Sequence, residues 1–375
     1  MQAEELKTLT IAIIGGGYAG ATAALALHQT GASVTVYEQA KEIHEVGAGI
    51  GLRPAVIKLF RQLGVFEDIA AVTSPSEYFD ILDAQGNLIQ REQWPHLDED
   101  GVRNNTRFIH RGDFIDVLTR LLPEGMLKLD HRAAEVVDNG DSATVRFTNG
   151  QEVTADIVVG ADGIRSKVRT LFSDNQPVPA NAHAYRVVID GSDAEGLMTD
   201  DNLRLYLDAE TGSMIYFLPL RHRGENGQVS FDITVPSTDT SWNPDVTKED
   251  LLHAVRNFDE RLVRIVEKLD MDKVNTRSAH DIDPVDVWNS RSVVLIGDAA
   301  HAMLHHQGQG ANSAVLDGGI LADCLLEQPS VAAALDTYTE LRKEPTQALQ
   351  RISRESWDSE SAGKTAFPEK EAIDY

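Results

Sequence analysis

Apolar positions along the chain repeat with two different periods. Thr8 to Ile14 (TLTIAII) is almost wholly apolar and β-branched, the pattern of a strand buried on both faces. Gly15 to Gly20 (GGGYAG) interrupts it, Ala21 to Gln29 is rich in Ala and Leu, and Gly31 supplies a helix stop. Ser33 to Glu38 (SVTVYE) then alternates as a strand does. Strand, tight turn, helix and strand predict a βαβ unit and therefore a parallel sheet.

The same reading continues along the chain. Helical spacing recurs at Pro54 to Leu63 and Asp113 to Leu122, and Leu127 to Val159 reads as a strand-rich meander with a turn at Thr148-Asn149-Gly150. Asp156 to Val159 leads into GADGIRSKVR, again strand, turn and helix. From Ala184 to Val235 the segments LRLYL, SMIYFLPL and QVSFDITV alternate, which predicts an antiparallel sheet in a second domain. Thr247 to Leu269 is expected to be helical, Ser292 to Ile296 (SVVLI) returns to the first domain, and Ser330 to Ser361 is mostly helical. The last dozen residues read as loose and polar.

Composition narrows the choice of ligand. At 375 residues and 42% hydrophobic, the chain can bury a sizeable core, in two domains or one elaborated domain. Its formal charge of −25 repels nucleic acid phosphates and anionic membranes, so a small molecule is the expected partner. An anionic substrate then needs locally placed arginines. No run of eighteen apolar residues predicts a membrane span, and the N-terminus lacks the basic start and long apolar run of a signal peptide. The single cysteine, Cys324, excludes an internal disulfide, sits in an apolar helical pattern, and fits a cytoplasmic setting.

The turn after the first strand fits G-x-G-x-x-G, with glycines at Gly15, Gly17 and Gly20. The first allows a sharp turn, the second lets backbone approach a pyrophosphate, and the third lets the helix pack close to the strand. The helix start offers free N–H groups and the positive end of its dipole to that pyrophosphate. Glu38, at the end of the next strand, can accept hydrogen bonds from ribose hydroxyls. This unit alone does not distinguish a nicotinamide from a flavin dinucleotide.

Further motifs do. GGGYAG, GAGIGLRP (Gly47 to Pro54), IHRGDFIDVL (Ile109 to Leu118), GADGIRSKVR (Gly160 to Arg169) and GDAAHAMLHHQGQGAN (Gly297 to Asn312) occur in order. Together they resemble the single-component flavoprotein aromatic hydroxylases, the family of p-hydroxybenzoate and salicylate hydroxylases, and the salicylate type in particular. The resemblance runs from Thr8 to about Arg342. It implies an α/β fold: a Rossmann-like FAD-binding domain, an inserted mixed or antiparallel β-sheet substrate domain, and C-terminal helices. The implied boundaries are 1–75, 101–175 and 280–345 for FAD, 76–100 and 176–279 for substrate, and 346–375 for a C-terminal helix and tail.

Carried over residue by residue, the resemblance puts Gly15, Gly17 and Gly20 on the pyrophosphate and Glu38 on the adenosine ribose. Arg111 lies along the cofactor, unless it is a surface arginine paired with Asp113. Asp162 helps bind FAD and the passing nicotinamide nucleotide, while Arg165 and Arg169 face either that site or water. Asp298 takes a ribityl hydroxyl. Gly310, Ala311 and Asn312 bring a helix start to the pyrimidine edge of the flavin, where N–H donors favour the reduced anion.

The three histidines of the last motif raise the question of a metal. His301 and His305 have helical i, i+4 spacing, but the segment is glycine-rich and no nearby Cys or acid completes a set, so no metal is expected. His301 falls in the GDAAH run and is expected to be structural or to support the cofactor site. His306 matches the histidine of the salicylate-type motif and either accepts the phenolic proton of the substrate or only bonds backbone. His305 stands where the family usually places proline, a departure that leaves its role open, with a place against the substrate as one reading.

Substrate contacts are expected from the second domain, where Arg186, Arg204, Tyr206, Tyr216 and Phe231 face either the pocket or water on alternating strands, with Arg186 the candidate to offset an anionic substrate and Tyr216 a candidate substrate contact. The implied activity is hydroxylation of a small phenolic or heteroaromatic acid with FAD, NADH or NADPH, and O₂, through oxygen added at flavin C4a. The alternatives are a flavin-dependent reductase or dehydrogenase without oxygen transfer, and a non-catalytic flavin redox sensor. Assembly is left open, a homodimer included.

Overall fold

The computed structural model describes residues 1–43, 47–99 and 101–357. The last dozen residues, expected to be loose, lie outside these. A five-stranded parallel sheet runs in the order Leu127–Lys128, Ser33–Tyr37, Thr10–Ile14, Ile157–Gly160 and Val293–Leu295. Its two central strands are buried on both faces, as their near-continuous apolar sequence requires. Helix Tyr18–Gln29 packs against it, and helix Gly310–Glu327 packs along that helix.

A seven-stranded sheet forms the second layer system. Its order is Asn275–Ile282, Pro177–Asp190, Gln228–Pro236, Met214–Leu220, Leu203–Leu207, Tyr78–Asp83 and Leu88–Gln93. All neighbours are antiparallel except Leu203–Leu207 with Tyr78–Asp83, so the sheet is mixed. One face buries Ile215, Phe217, Phe231 and Ile233 against helices Lys248–Ala254 and Glu260–Lys268. The other face turns toward the parallel-sheet unit. Between the two lies the three-stranded sheet of Gly49–Leu52, Arg107–His110 and Ser74–Pro75.

Three local expectations change. The segment Thr247 to Leu269 is two helices: the first ends at Ala254, and Asp259 starts the second as its cap, its side chain accepting from Arg261 N–H. No full helix follows GADG: only the 3₁₀ turn Val168–Leu171 forms, since Asp162 accepts the N–H groups of Lys167 and Val168 and holds the loop in its own shape. The helix expected from Asp113 begins at Arg111, with His110 as its cap. Cys324 is buried, as its apolar surroundings predicted.

Candidate active site

The glycine turn is shaped by three separate constraints. Gly15 has φ +107°, and a Cβ there would lie 2.3 Å from the Ala161 carbonyl oxygen. A Cβ on Gly20 would lie 1.9 Å from the Gly15 carbonyl oxygen, so only glycine lets the helix start this close to the strand. Gly17 differs: it has φ −70°, and nothing stands within 4 Å of where its Cβ would be. It caps helix Tyr18–Gln29 without a side chain and lines a cavity, leaving the first-turn N–H groups facing open space. A cavity in front of a helix start fits a pyrophosphate.

Glu38 closes the turn from the other side. Its Oε2 accepts from Gly16 N–H at 2.7 Å and its Oε1 from Ala40 N–H at 2.8 Å. Each oxygen keeps a second lone pair, so a ribose hydroxyl can still donate to it.

The histidine-rich motif separates its three histidines. Strand Val293–Leu295 runs into Gly297, whose φ of +57° turns the chain and whose N–H donates to Asp317 Oδ2 at 2.8 Å. After the single helical turn Asp298–His301, Ala302 is extended, so His301 and His305 share no helix face. His301 is wholly buried with Nε2 2.7 Å from Asp317 Oδ2, while Asp317 Oδ1 accepts from Arg342 Nε at 2.7 Å. Burial pushes the Asp317 carboxyl up, but His301, Arg342 and the Gly297 N–H outweigh it and hold it at about 2. His301 therefore holds the frame of the motif.

Asp298 lines the cavity, and its surroundings of low polarity raise its carboxyl above the usual range. Gly310 and Ala311, in the first turn of helix Gly310–Glu327, line it as well. Asn312 does not. Its Oδ1 accepts from Arg53 N–H at 2.7 Å, and its Nδ2 donates to the carbonyls of Gly51 and Gly308. The side chain thus clamps strand Gly49–Leu52 to the helix start.

The arginines also divide. Arg111 lines the cavity with its guanidinium 5.4 Å from the Tyr18 ring centroid, while Asp113 pairs instead with Arg223 at 3.3 Å. Arg169 is only 3% exposed and donates to the carbonyls of Ala299 and Ile164, which replaces the solvated alternative with a brace between two motifs. Arg165 lies over the Trp242 ring at 3.7 Å. Both oxygens of Asp162 bond Ser166, Lys167 and Val168, and it is Ala161 and Gly163 beside it that line the cavity.

The cavity, about 380 Å³, continues to the seven-stranded sheet. There Arg186 pairs in register with Asp232, and Asp232 with Tyr216, so directly opposed residues form one row on one face. Arg186 Nε lies 3.7 Å from Asp232 Oδ2, and Ser230 Oγ donates to Asp232 Oδ1 at 3.0 Å while accepting from Gly49 N–H. Burial raises the Asp232 carboxyl to about 6, against the pull of Arg186 and Ser230. The Tyr216 hydroxyl donates to the His306 carbonyl at 3.4 Å.

His305 and His306 line the same space. Burial, with Arg186 and His306 beside it, pushes His305 well below the usual histidine range, and its Nε2 lies 3.4 Å from Thr234 Oγ1. Burial lowers His306 to about 4. Both imidazoles are therefore neutral at neutral pH. Sequence reasoning missed Asp232 and Arg53, which also line the cavity. The alternation of QVSFDITV marks Asp232 as facing opposite to Phe231, but not which face meets the cavity.

Comparison with known proteins agrees with this geometry. A family model described as the FAD binding domain matches residues 8–353. The 6-hydroxynicotinate 3-monooxygenase of Pseudomonas fluorescens is 31% identical over 360 residues, covering 92% of this chain and 90% of that protein. Salicylate hydroxylase of Pseudomonas putida is 30% identical, covering 94% and 85%. Among solved structures, a salicylate hydroxylase substrate complex matches with TM-score 0.76 at 25% identity, covering 93% of this chain and 88% of that one. HpxO of Klebsiella pneumoniae, complexed with FAD and uric acid, shares the fold with TM-score 0.83 at 22% identity, covering 95% and 89%. With its glycine cradle, its matched domain and relatives along nearly its whole length, the chain belongs to the FAD-dependent aromatic monooxygenases.

Proposed function

We propose that this monooxygenase hydroxylates a small phenolic or heteroaromatic acid, with NADH or NADPH as reductant and O₂ as oxidant. The observation that carries this reading is the single cavity joining the glycine cradle to the row Arg186, Asp232 and Tyr216. Segments 1–75, 101–175 and 280–345 hold the cofactor, and segments 76–100 and 176–279 face the substrate. The acidic surface and single buried cysteine support a cytoplasmic setting.

FAD supplies the oxygen activation when bound and reduced. The chain's own residues bind, orient and move a proton. Gly15, Gly17 and Gly20 with the helix start receive the pyrophosphate, Glu38 the ribose, Asp298 a polyol hydroxyl, and the first turn at Gly310 and Ala311 the anionic edge of the ring system. Arg111 places positive charge along the nucleotide.

A phenolic hydroxyl must lose its proton to raise electron density on the ring, and two groups in the cavity can take it. His306 is neutral but, held at about 4, binds a proton weakly. Asp232, raised to about 6 and flanked by Arg186, is the stronger acceptor, and Arg186 can hold the resulting oxyanion. This favours Asp232 as the base and leaves His306 to position the substrate.

The test is a panel of hydroxylated aromatic acids with purified FAD enzyme. The expected result is substrate-stimulated NAD(P)H oxidation with one hydroxylated product per NAD(P)H. Hydrogen peroxide alone across the panel would overturn the reading in favour of a reductase or oxidase, and a protein without flavin would end it. Because the base acts deprotonated, kcat/KM should rise with pH through an acid limb near 6 that Asp232→Asn abolishes. A limb that persists in Asp232→Asn and disappears in His306→Gln would return the role to His306.

A further inference from the structure

Three arginines line the cavity, and they are not equivalent. Arg111 lies over Tyr18 at the nucleotide end. Arg186, expected from sequence to offset an anionic substrate, is already faced by Asp232 at 3.7 Å, so its charge is largely balanced within the protein. Arg53 has no such partner. It is 8% exposed, and among the described residues its guanidinium makes no hydrogen bond and no ion pair.

Local structure explains why this side chain is free for a ligand. Arg53 is the extended N-cap of helix Pro54–Gln62, with φ −80° and ψ 160°, and its side chain makes no capping bond. Its backbone N–H is fixed by Asn312 Oδ1 at 2.7 Å. The guanidinium stands 4.2 Å from the Trp94 ring centroid. Trp94 in turn donates to Ser76 Oγ, stacks on Phe79 at 5.3 Å and meets Phe108 edge-on at 6.4 Å. Phe79, Trp94 and Phe108 all line the cavity, and they share one apolar cluster with Leu205, Leu218 and Leu220 of the seven-stranded sheet.

A buried cation without a counter-charge is costly, and a guanidinium recognises a carboxylate through two parallel N–H bonds. Glu92, the acid whose charge acts on Arg53, lies beyond ion-pair distance and does not line the cavity. Burial lowers the guanidinium only to about 10, so it stays charged at neutral pH.

Resting on the monooxygenase reading, we infer that Arg53 is the anion anchor of the substrate cavity: it binds the carboxylate of an aromatic acid whose ring lies against Trp94, Phe79 and Phe108, while Arg186 and Asp232 face the ring's hydroxyl. A planar acid suits this arrangement because it matches the guanidinium fork at one end and the aromatic wall along its face. The remaining polar pair then addresses a donor and an acceptor at the opposite edge of the same ring. Specificity between an acid and its neutral amide therefore resides in Arg53.

The experiment titrates FAD-bound wild type, Arg53→Gln and Arg53→Lys with a hydroxybenzoate, a hydroxynicotinate and the matching carboxamides. Binding is read from the change in flavin absorbance. Wild type should prefer each acid over its carboxamide. Arg53→Gln should weaken acid binding by about tenfold or more, with carboxamide binding changed by no more than about twofold, and Arg53→Lys should fall between. FAD affinity and melting temperature should match wild type in both variants.

The inference is overturned if acids and amides weaken equally in Arg53→Gln, if neither weakens, if wild type binds no acid in preference to its amide, or if the variant loses FAD instead. Product analysis keeps this separate from the activity. Arg53-dependent acid binding without hydroxylated product would leave the anchor standing and remove the monooxygenase reading. Hydroxylated product from acids that Arg53→Gln binds as tightly as wild type would do the reverse.

Discussion

Gly17 and Gly20 stand in one turn and answer to different demands. Gly20 is held to glycine by the protein itself, since a Cβ would collide with the Gly15 carbonyl at 1.9 Å. Gly17 meets no protein atom and has a φ that any L-residue adopts, so on the proposed reading only a pyrophosphate bound there would exclude a side chain. Gly17→Ala is therefore expected to leave the melting temperature of FAD-stripped protein within about 1–2 °C of wild type, a change well under 1 kcal/mol. The same variant should weaken FAD binding by at least about tenfold, measured by flavin fluorescence on titration. Unchanged affinity would place the pyrophosphate elsewhere. The turn itself was legible in the sequence because a glycine turn is a local backbone matter. Asn312 and Arg53 were not, since the bond between them joins positions 259 apart in sequence. Asp232 was hidden for a related reason: alternation assigns residues to two faces but does not say which face a second domain will cover.

At the scale of elements, the site depends on two helix starts that must point into one cavity. Helices Tyr18–Gln29 and Gly310–Glu327 approach closely because Gly318 has no side chain: a Cβ there would lie 2.6 Å from Ala23 N and 2.8 Å from Ala23 Cα. The colliding atoms are backbone and cannot swing aside. Gly318→Ala should destabilise the fold by about 1–3 kcal/mol despite alanine's higher helix propensity. It should also loosen FAD, because separating the helices moves both N-termini. A melting temperature equal to or above wild type would refute this packing. The helices themselves were readable from the spacing of apolar residues, whereas their closeness was not. The loop after GADG shows the converse limit, where a short helical-looking run lost to the side-chain bonds of Asp162.

For the whole molecule, the charge of −25 and the two neutral imidazoles of the cavity pull in opposite directions as pH falls. Acidification relieves the general repulsion among carboxylates, a term shared by wild type and single variants. The cavity groups add specific terms with definite signs. His306 folds with its imidazole at about 4 against an ordinary 6.5, so the unfolded chain takes the proton first. Its contribution is intact above pH 6.5 and is lost as pH falls toward 4, reaching at most about 3 kcal/mol there. His305, pushed well below the ordinary range, adds in the same direction. Asp232 opposes them. Its carboxyl is raised to about 6, so the folded protein takes that proton first and gains stability as pH falls through 6. Denaturant unfolding of FAD-stripped protein at pH 7.5, 6 and 5 should then show two opposite departures from wild type. His306→Gln should make the loss of stability on acidification shallower, because a group that must fold neutral is gone. Asp232→Asn should make it steeper, because the compensating proton uptake is gone. If both variants move the slope in the same direction, the two groups do not share the buried cavity in the protonation states assigned to them here.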